Sequence, residues 1–262
     1  MPGSHPTPPA APDTVSASAF RAAAQSVLDT VIDGQPAAIA LAAEHIAASV
    51  RAGGVVQAFG TGHSEALALE IAGRAGGLIP SNRIALRDVV LFGGEPVSTI
   101  SDGILERDLS VAHRLYTLAA PDPRDIFVIA SNSGVNGSIV EMALLAKHNG
   151  HDVIAVTSMN HTAQVTPRHP SGRRLSEIAD VVIDNGAPYG DSLLTLPDGG
   201  TACAVSSITG AFLVQMIGAE VVRLLLESGQ QPPVYLSANM PGGDEHNEAL
   251  EAKYSGRIRR TA

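Results

Sequence analysis

The sequence predicts a doubly wound α/β fold, in which a mostly parallel sheet of about five strands carries helices on both faces and two further helices lead into it. Three observations point there. Short apolar runs end in glycine, alanine or serine rather than alternating with polar residues, as strands buried on both faces do. These runs alternate with segments of helical periodicity. Finally, the 262 residues are 45% hydrophobic but only 3% aromatic, with no Trp. The core must therefore be aliphatic, as parallel α/β cores usually are.

The elements follow in order. MPGSHPTPPAAPD is Pro-rich, lacks the basic start and apolar centre of a leader, and reads as part of a disordered arm over residues 1–18. From Ala19 to Asp33, Phe20, Ala24, Val27, Leu28 and Val31 recur on one helical face. Gly34 stops that helix and Pro36 starts a second, running to about Ala52. VVQAFG, Val55 to Gly60, is the first strand, and a helix follows from Ser64 to Ala75. Leu78 to Glu106, rich in Gly, Pro, Ser and Asp, reads as long connections around LFGGEP. A helix spans Leu105 to Ala119. DIFVIA (Asp125–Ala130), DVIAVTS (Asp152–Ser158) and DVVID (Asp180–Asp184) are further strands, with a helix from Ser138 to Asn149 between the first two. A long helix from Ala202 to Ser228 closes a domain taken as residues 19–233, leaving a polar tail, 234–262, centred on NMPGGDEHNEAL.

Composition narrows the functions. A formal net charge of −9 argues against a general affinity for nucleic acid or an anionic membrane surface. Apolar stretches are broken by Gly, Gln or charge before bilayer length, so no membrane span is expected. The single cysteine, Cys203, allows no intrachain disulfide and fits a reducing cytoplasm. The two N-terminal helices, Ala19 to Ala52, are apolar over more than one face, so a homodimer or homotetramer is expected.

Two loops carry the chemistry. FGTGHSE, Phe59 to Glu65, joins a strand to a helix and offers Gly62, His63 and Ser64 at the helix entrance. Glycines admit close backbone approach and free N–H groups at a helix start attract anions, although Ser64 as a simple N-cap accounts for the same pattern. The loop is neither a Walker A nor a dinucleotide fingerprint. ASNSGVNGS, Ala130 to Ser138, offers Ser131, Asn132, Ser133, Asn136 and Ser138 directly after a strand. Hydroxyls and backbone amides can wrap a phosphate without lysine. Ser138 and Glu141 have capping-box spacing, which explains the helix entrance but not Ser131 and Ser133.

FGTGHSEALALEIAGR and VIASNSGVNGSIVEMALLAKHNGHDVIAVTS together resemble the two signature segments of the sugar-isomerase (SIS) superfamily, over roughly Pro36 to Gly229. That group includes phosphoheptose isomerase and N-acetylmuramic acid 6-phosphate etherase. The resemblance implies the fold already read, a phosphorylated sugar as partner, and phosphate ligands at Ser64, Ser131, Ser133 and Ser138, with Asn132 where Thr or Ser is frequent. It also implies a catalytic glutamate on the helix after the first loop, where Glu65 and Glu70 are the candidates. In some members a C-terminal segment folds over the active site. The tail's Glu245 and His246 are then candidate acids. No HExxH or HxxxH motif occurs, His148 and His151 read as solvated, and neither a metal nor a cofactor is expected.

By that resemblance three functions stay open: an aldose–ketose isomerase, a lyase, and a non-catalytic sugar-phosphate sensor. The C-terminal helix, SSITGAFLVQMIGAEVV, lacks the histidines of phosphoheptose isomerase and is similar to the etherase. The reaction expected is elimination of water across C2 and C3 of an N-acetylamino-sugar 6-phosphate such as N-acetylglucosamine 6-phosphate. It begins with proton abstraction at C2.

Overall fold

The computed structural model describes residues 15–101, 103–197 and 199–260. The arm expected at 1–18 lies outside the described residues up to position 14. Beyond it, Ser16 caps α1 (Ala17–Gly34) by accepting the Ala19 N–H at 3.1 Å. Pro36 then opens α2 (Pro36–Arg51).

The remaining elements alternate. They are β1 (Val56–Gly60), α3 (Glu65–Ile71), β2 (Ser81–Ile84), α4 (Asp88–Leu91), α5 (Ser110–Ala119), β3 (Ile126–Ala130), α6 (Gly137–His148), β4 (Val153–Thr157), α7 (Met159–Gln164) and β5 (Val181–Asp184). A hairpin, β6 (Ser192–Thr195) and β7 (Thr201–Ala204), precedes α8 (Ser206–Glu227), and α9 (Gly243–Glu251) lies in the tail. The five main strands are all parallel in the order β2-β1-β3-β4-β5. The chain leaves β1 to one side for β2 and returns to the other for β3. The carboxyl ends of β1 and β3 therefore flank a topological switch point, where open α/β sheets bind ligands.

Burial follows the strand period. On β3, Ile126, Val128 and Ala130 face one core with Ile39, Ala43 and Ile46 of α2 and Leu213, Ile217 and Val221 of α8. Phe127 and Ile129 face the other core with Leu115 of α5 and Ile139, Met142 and Ala143 of α6. By length and composition α8 could cross a bilayer, but here it packs along α2 and the sheet.

Three sequence expectations need correction. The irregular middle contains a strand, β2, although its SNRI sequence is polar. The helix expected from Ala202 starts at Ser206, because Thr201–Ala204 pairs with β6 and Cys203 adopts a positive φ of 66°. His151 is buried, not solvated: its ring bonds the Asp125 carbonyl and the Tyr116 hydroxyl, both at 2.9 Å.

Candidate functional site

The first loop turns sharply. A Cβ at Gly60 would fall 2.4 Å from the Ser64 carbonyl oxygen, so only glycine lets the chain double back there. Gly62 holds φ at +57°, a region that side chains rarely tolerate. The result is a 3₁₀ turn, Gly62–Ser64, that leads directly into α3. Gly62 and His63 are exposed, and the half-buried Ser64 hydroxyl makes no capping bond.

The second loop is braced from behind. The Ser131 hydroxyl accepts the Gly134 N–H at 3.1 Å. The Asn132 carbonyl accepts the Ser158 N–H, while the Asn132 side-chain oxygen accepts from the Asn185 amide at 3.1 Å. Ser133 is half-buried, and its hydroxyl has no partner among the described residues.

Between the loops lies a small cleft lined by His63, Ser64, Leu67, Ala130, Ser131, Asn132, Val156, Asn185, Ser206 and Ser207. Of the residues named from sequence, His63, Ser64, Ser131 and Asn132 meet there, with Gly62 in the turn beside them. Ser206 and Ser207 are additions, brought to the cleft because β7 occupies Thr201–Ala204 and delays the start of α8 to Ser206. They open α8, and Asp191 accepts the Ser206 N–H at 2.8 Å and its hydroxyl at 2.7 Å.

Ser138 is placed differently from expectation. It is fully buried and donates to the Glu106 carbonyl at 2.7 Å, so its hydroxyl is spent on the turn Leu105–Arg107. That turn introduces a carboxylate the sequence reading passed over. A methyl group on Gly62 would lie 3.6 Å from Glu106 Oε2, which puts Glu106 beside the first loop.

The two α3 glutamates separate. Glu65 opens α3 next to the cleft, with its Oε1 2.8 Å from Arg87 Nη1 and shielded from solvent. Glu70 lies further down, paired with Arg74 and accepting from the Gln215 amide at 2.7 Å, at the edge of an apolar cavity under α8.

The tail does not reach the cleft of its own chain, contrary to expectation. His246 Nε2 bonds the Val234 carbonyl at 3.0 Å and borders Val50, Gln230 and Pro233, at the foot of α2 and α8. Glu245, beside it in α9, is carried to the same end. These positions lie by the amino ends of the strands, opposite the loops. The SIS domain family model matches residues 19–158, which hold both loops and the first four strands of the sheet. A UPF0309 protein from Listeria monocytogenes is 40% identical over 86% of this chain and 91% of its own. A UPF0309 protein from Geobacillus kaustophilus is 35% identical over 88% and 91%. The chain therefore belongs to the UPF0309 family of SIS-domain proteins. The fold is similar to that of a phosphoheptose isomerase from Neisseria gonorrhoeae, with a TM-score of 0.53 and 16% identity over 79% of this chain and 96% of that one.

Proposed function

We propose that the chain is a phosphosugar enzyme that removes the C2 proton of an N-acetylamino-sugar 6-phosphate and expels the C3 hydroxyl as water. The observation that carries this reading is a serine-lined cleft whose first loop adjoins two carboxylates, Glu65 directly after Ser64 at the start of α3 and Glu106 against Gly62. Membership of the SIS family supports a sugar-phosphate ligand, with Ser64, Ser131 and Ser133 as its hydroxyl partners.

The chemistry follows from the open-chain substrate. Its aldehyde acidifies the C2 proton, which the Glu65 carboxylate takes to leave an enolate. Hydroxide is a poor leaving group, so Glu106, as general acid, gives a proton to the C3 oxygen as the C3–O bond breaks and water departs. The enolate's electron pair forms the C2–C3 double bond and restores the C1 carbonyl, while the C3–O pair leaves with the water. Glu65 then loses a proton to solvent and Glu106 regains one. Glu106 takes the role expected of His246 or Glu245, which the fold places elsewhere. Return of the proton to C1 instead would give a ketose, so isomerisation is the competing outcome of the same enolate.

Purified protein incubated with hexose and N-acetylhexosamine 6-phosphates in D₂O tests the reading by NMR. An unsaturated product from N-acetylglucosamine 6-phosphate or a relative is expected. Interconversion of a ketose–aldose pair without unsaturated product would replace the lyase by an isomerase. Binding without exchange at C2 would leave a sensor.

A further inference from the structure

The last described residues, Arg257–Arg260, form a strap across the amino-terminal edge of the sheet. Beneath it runs a line of buried polar side chains on three adjacent strands. Asn82 of β2 donates to Gln57 of β1 at 2.9 Å, and Gln57 donates to Asp125, just before β3, at 2.9 Å. All three residues are 4% exposed or less. The strap closes both ends of the line. The Arg259 N–H donates to Asn82 Oδ1 at 3.0 Å, and the Arg257 guanidinium pairs with Asp125. A buried carboxylate and amide would otherwise lack these partners.

The strap also grips the edge strand. Among the described residues β2 has no neighbouring strand on its outer side, and Arg260 donates to the Ser81 and Ile79 carbonyls there, each at 2.9 Å. The Arg259 guanidinium lies 4.4 Å from the centre of the Phe92 ring and donates to the Leu118 carbonyl. Residues 81–92 are thus held at both ends. Between those ends stand Arg87, which faces Glu65, and buried Asp88, which accepts the Ala85 N–H at 3.0 Å.

We propose that the Arg257–Arg260 strap is a positioning device for the cleft, holding residues 81–92 so that Arg87 stays against Glu65. Its functional meaning rests on the reading of Glu65 as the base. Its physical content, that the strap orders residues 85–92, does not.

The test compares the parent with R259A, R259K and a chain ending at Gly256. R259A keeps the backbone bond to Asn82 and the Arg257–Asp125 pair, so it retains the fold even if the shortened chain does not. Hydrogen exchange in R259A should quicken about tenfold over residues 85–92 and stay unchanged in α6. With N-acetylglucosamine 6-phosphate, kcat should fall about tenfold while affinity changes less than about threefold, since a displaced ion pair disturbs the reacting geometry and not the phosphate loops. R259K, which keeps the cation near Phe92, should recover part of both effects. Unchanged exchange at 85–92, or an equal rise in α6, overturns the proposal. If the parent turns over no sugar phosphate, the functional reading falls, and the exchange measurement alone still decides whether the strap positions 85–92.

Discussion

Glu65 and Arg87 face each other across the mouth of the first loop, with Oε1 and Nη1 2.8 Å apart. The two residues come from neighbouring strands on one side of the switch point, one opening the helix after β1 and the other following β2. The pair gives Glu65 a fixed orientation beside the serine cleft, whereas Glu70 is turned toward α8. Glu65→Gln keeps the shape and removes the base, so turnover should fall at least about a hundredfold. Affinity for the sugar phosphate should hardly change. Glu70→Gln should leave kcat within about threefold. Steady-state kinetics on the two variants checks the assignment, and equal losses would contradict it.

The phosphate reading has its own test. Ser64 and Ser133 present hydroxyls with no partner among the described residues, so their removal breaks no bond seen there in the free state. Each alanine variant should lose about 1.5–3 kcal/mol of binding, or roughly ten- to hundredfold in affinity. Stability should move by less than about 0.5 kcal/mol. Calorimetric titration with a sugar 6-phosphate separates the two quantities.

These variants also mark what the sequence disclosed. Four strands of the sheet were legible because their runs are mostly apolar, and two of them, β1 and β3, end in the loops that carry the chemistry. β2 was not legible. Ser81, Asn82 and Arg83 look like loop residues, yet Ser81 and Asn82 are buried because Leu78, Gln57 and the strap satisfy their polar groups. Ser64 and Ser131 could be read from local pattern, since a strand-to-helix loop declares itself within a few residues. Ser207 reaches the cleft, and Glu106 the side of Gly62, through tertiary placement alone. His246 misled for the converse reason: its acidic neighbours suggested a catalytic tail, whereas its ring secures the Val234 carbonyl.

The same tail predicts an alkaline transition. Burial pushes the Tyr235 phenol up to about 12 from its ordinary 10.0, helped by the hydrogen bond it donates to Glu251. The folded chain thus holds this proton more tightly than the unfolded chain does. The resulting stability is complete below pH 10.0 and is lost as pH rises through about 12. Denaturation midpoints measured across that window should fall more steeply for the parent than for Tyr235→Phe. Tyrosinate absorbance should show the missing late-titrating group in the variant.

The proposed homodimer or homotetramer has candidate contacts in exposed apolar side chains. Leu41 on α2, Leu69 on α3 and Ile208 and Phe212 on α8 are each more than two-fifths exposed. Light scattering at micromolar concentration should give twice or four times the 26.9 kDa chain mass. Phe212→Glu should shift that mass downward if this face is used. A parent that stays monomeric would contradict the assembly.

Ser138 separates a structural serine from a ligand serine within one loop. Its hydroxyl is inaccessible and donates to the Glu106 carbonyl, tying the start of α6 to the turn that presents the Glu106 carboxylate. Ser138→Ala leaves that carbonyl short of a partner in a buried setting, which should cost about 1–3 kcal/mol of stability. The denaturant midpoint should drop with the slope of the transition unchanged, because native and unfolded states keep their surfaces. If Glu106 is the acid, loosening its turn should also reduce kcat while the phosphate loops, anchored on Ser131 and Asn185, keep their affinity. Ser133→Ala should show the opposite pattern, weak binding with full stability. A Ser138→Ala variant that loses affinity and keeps its stability would return Ser138 to the phosphate ligands and remove this support for Glu106.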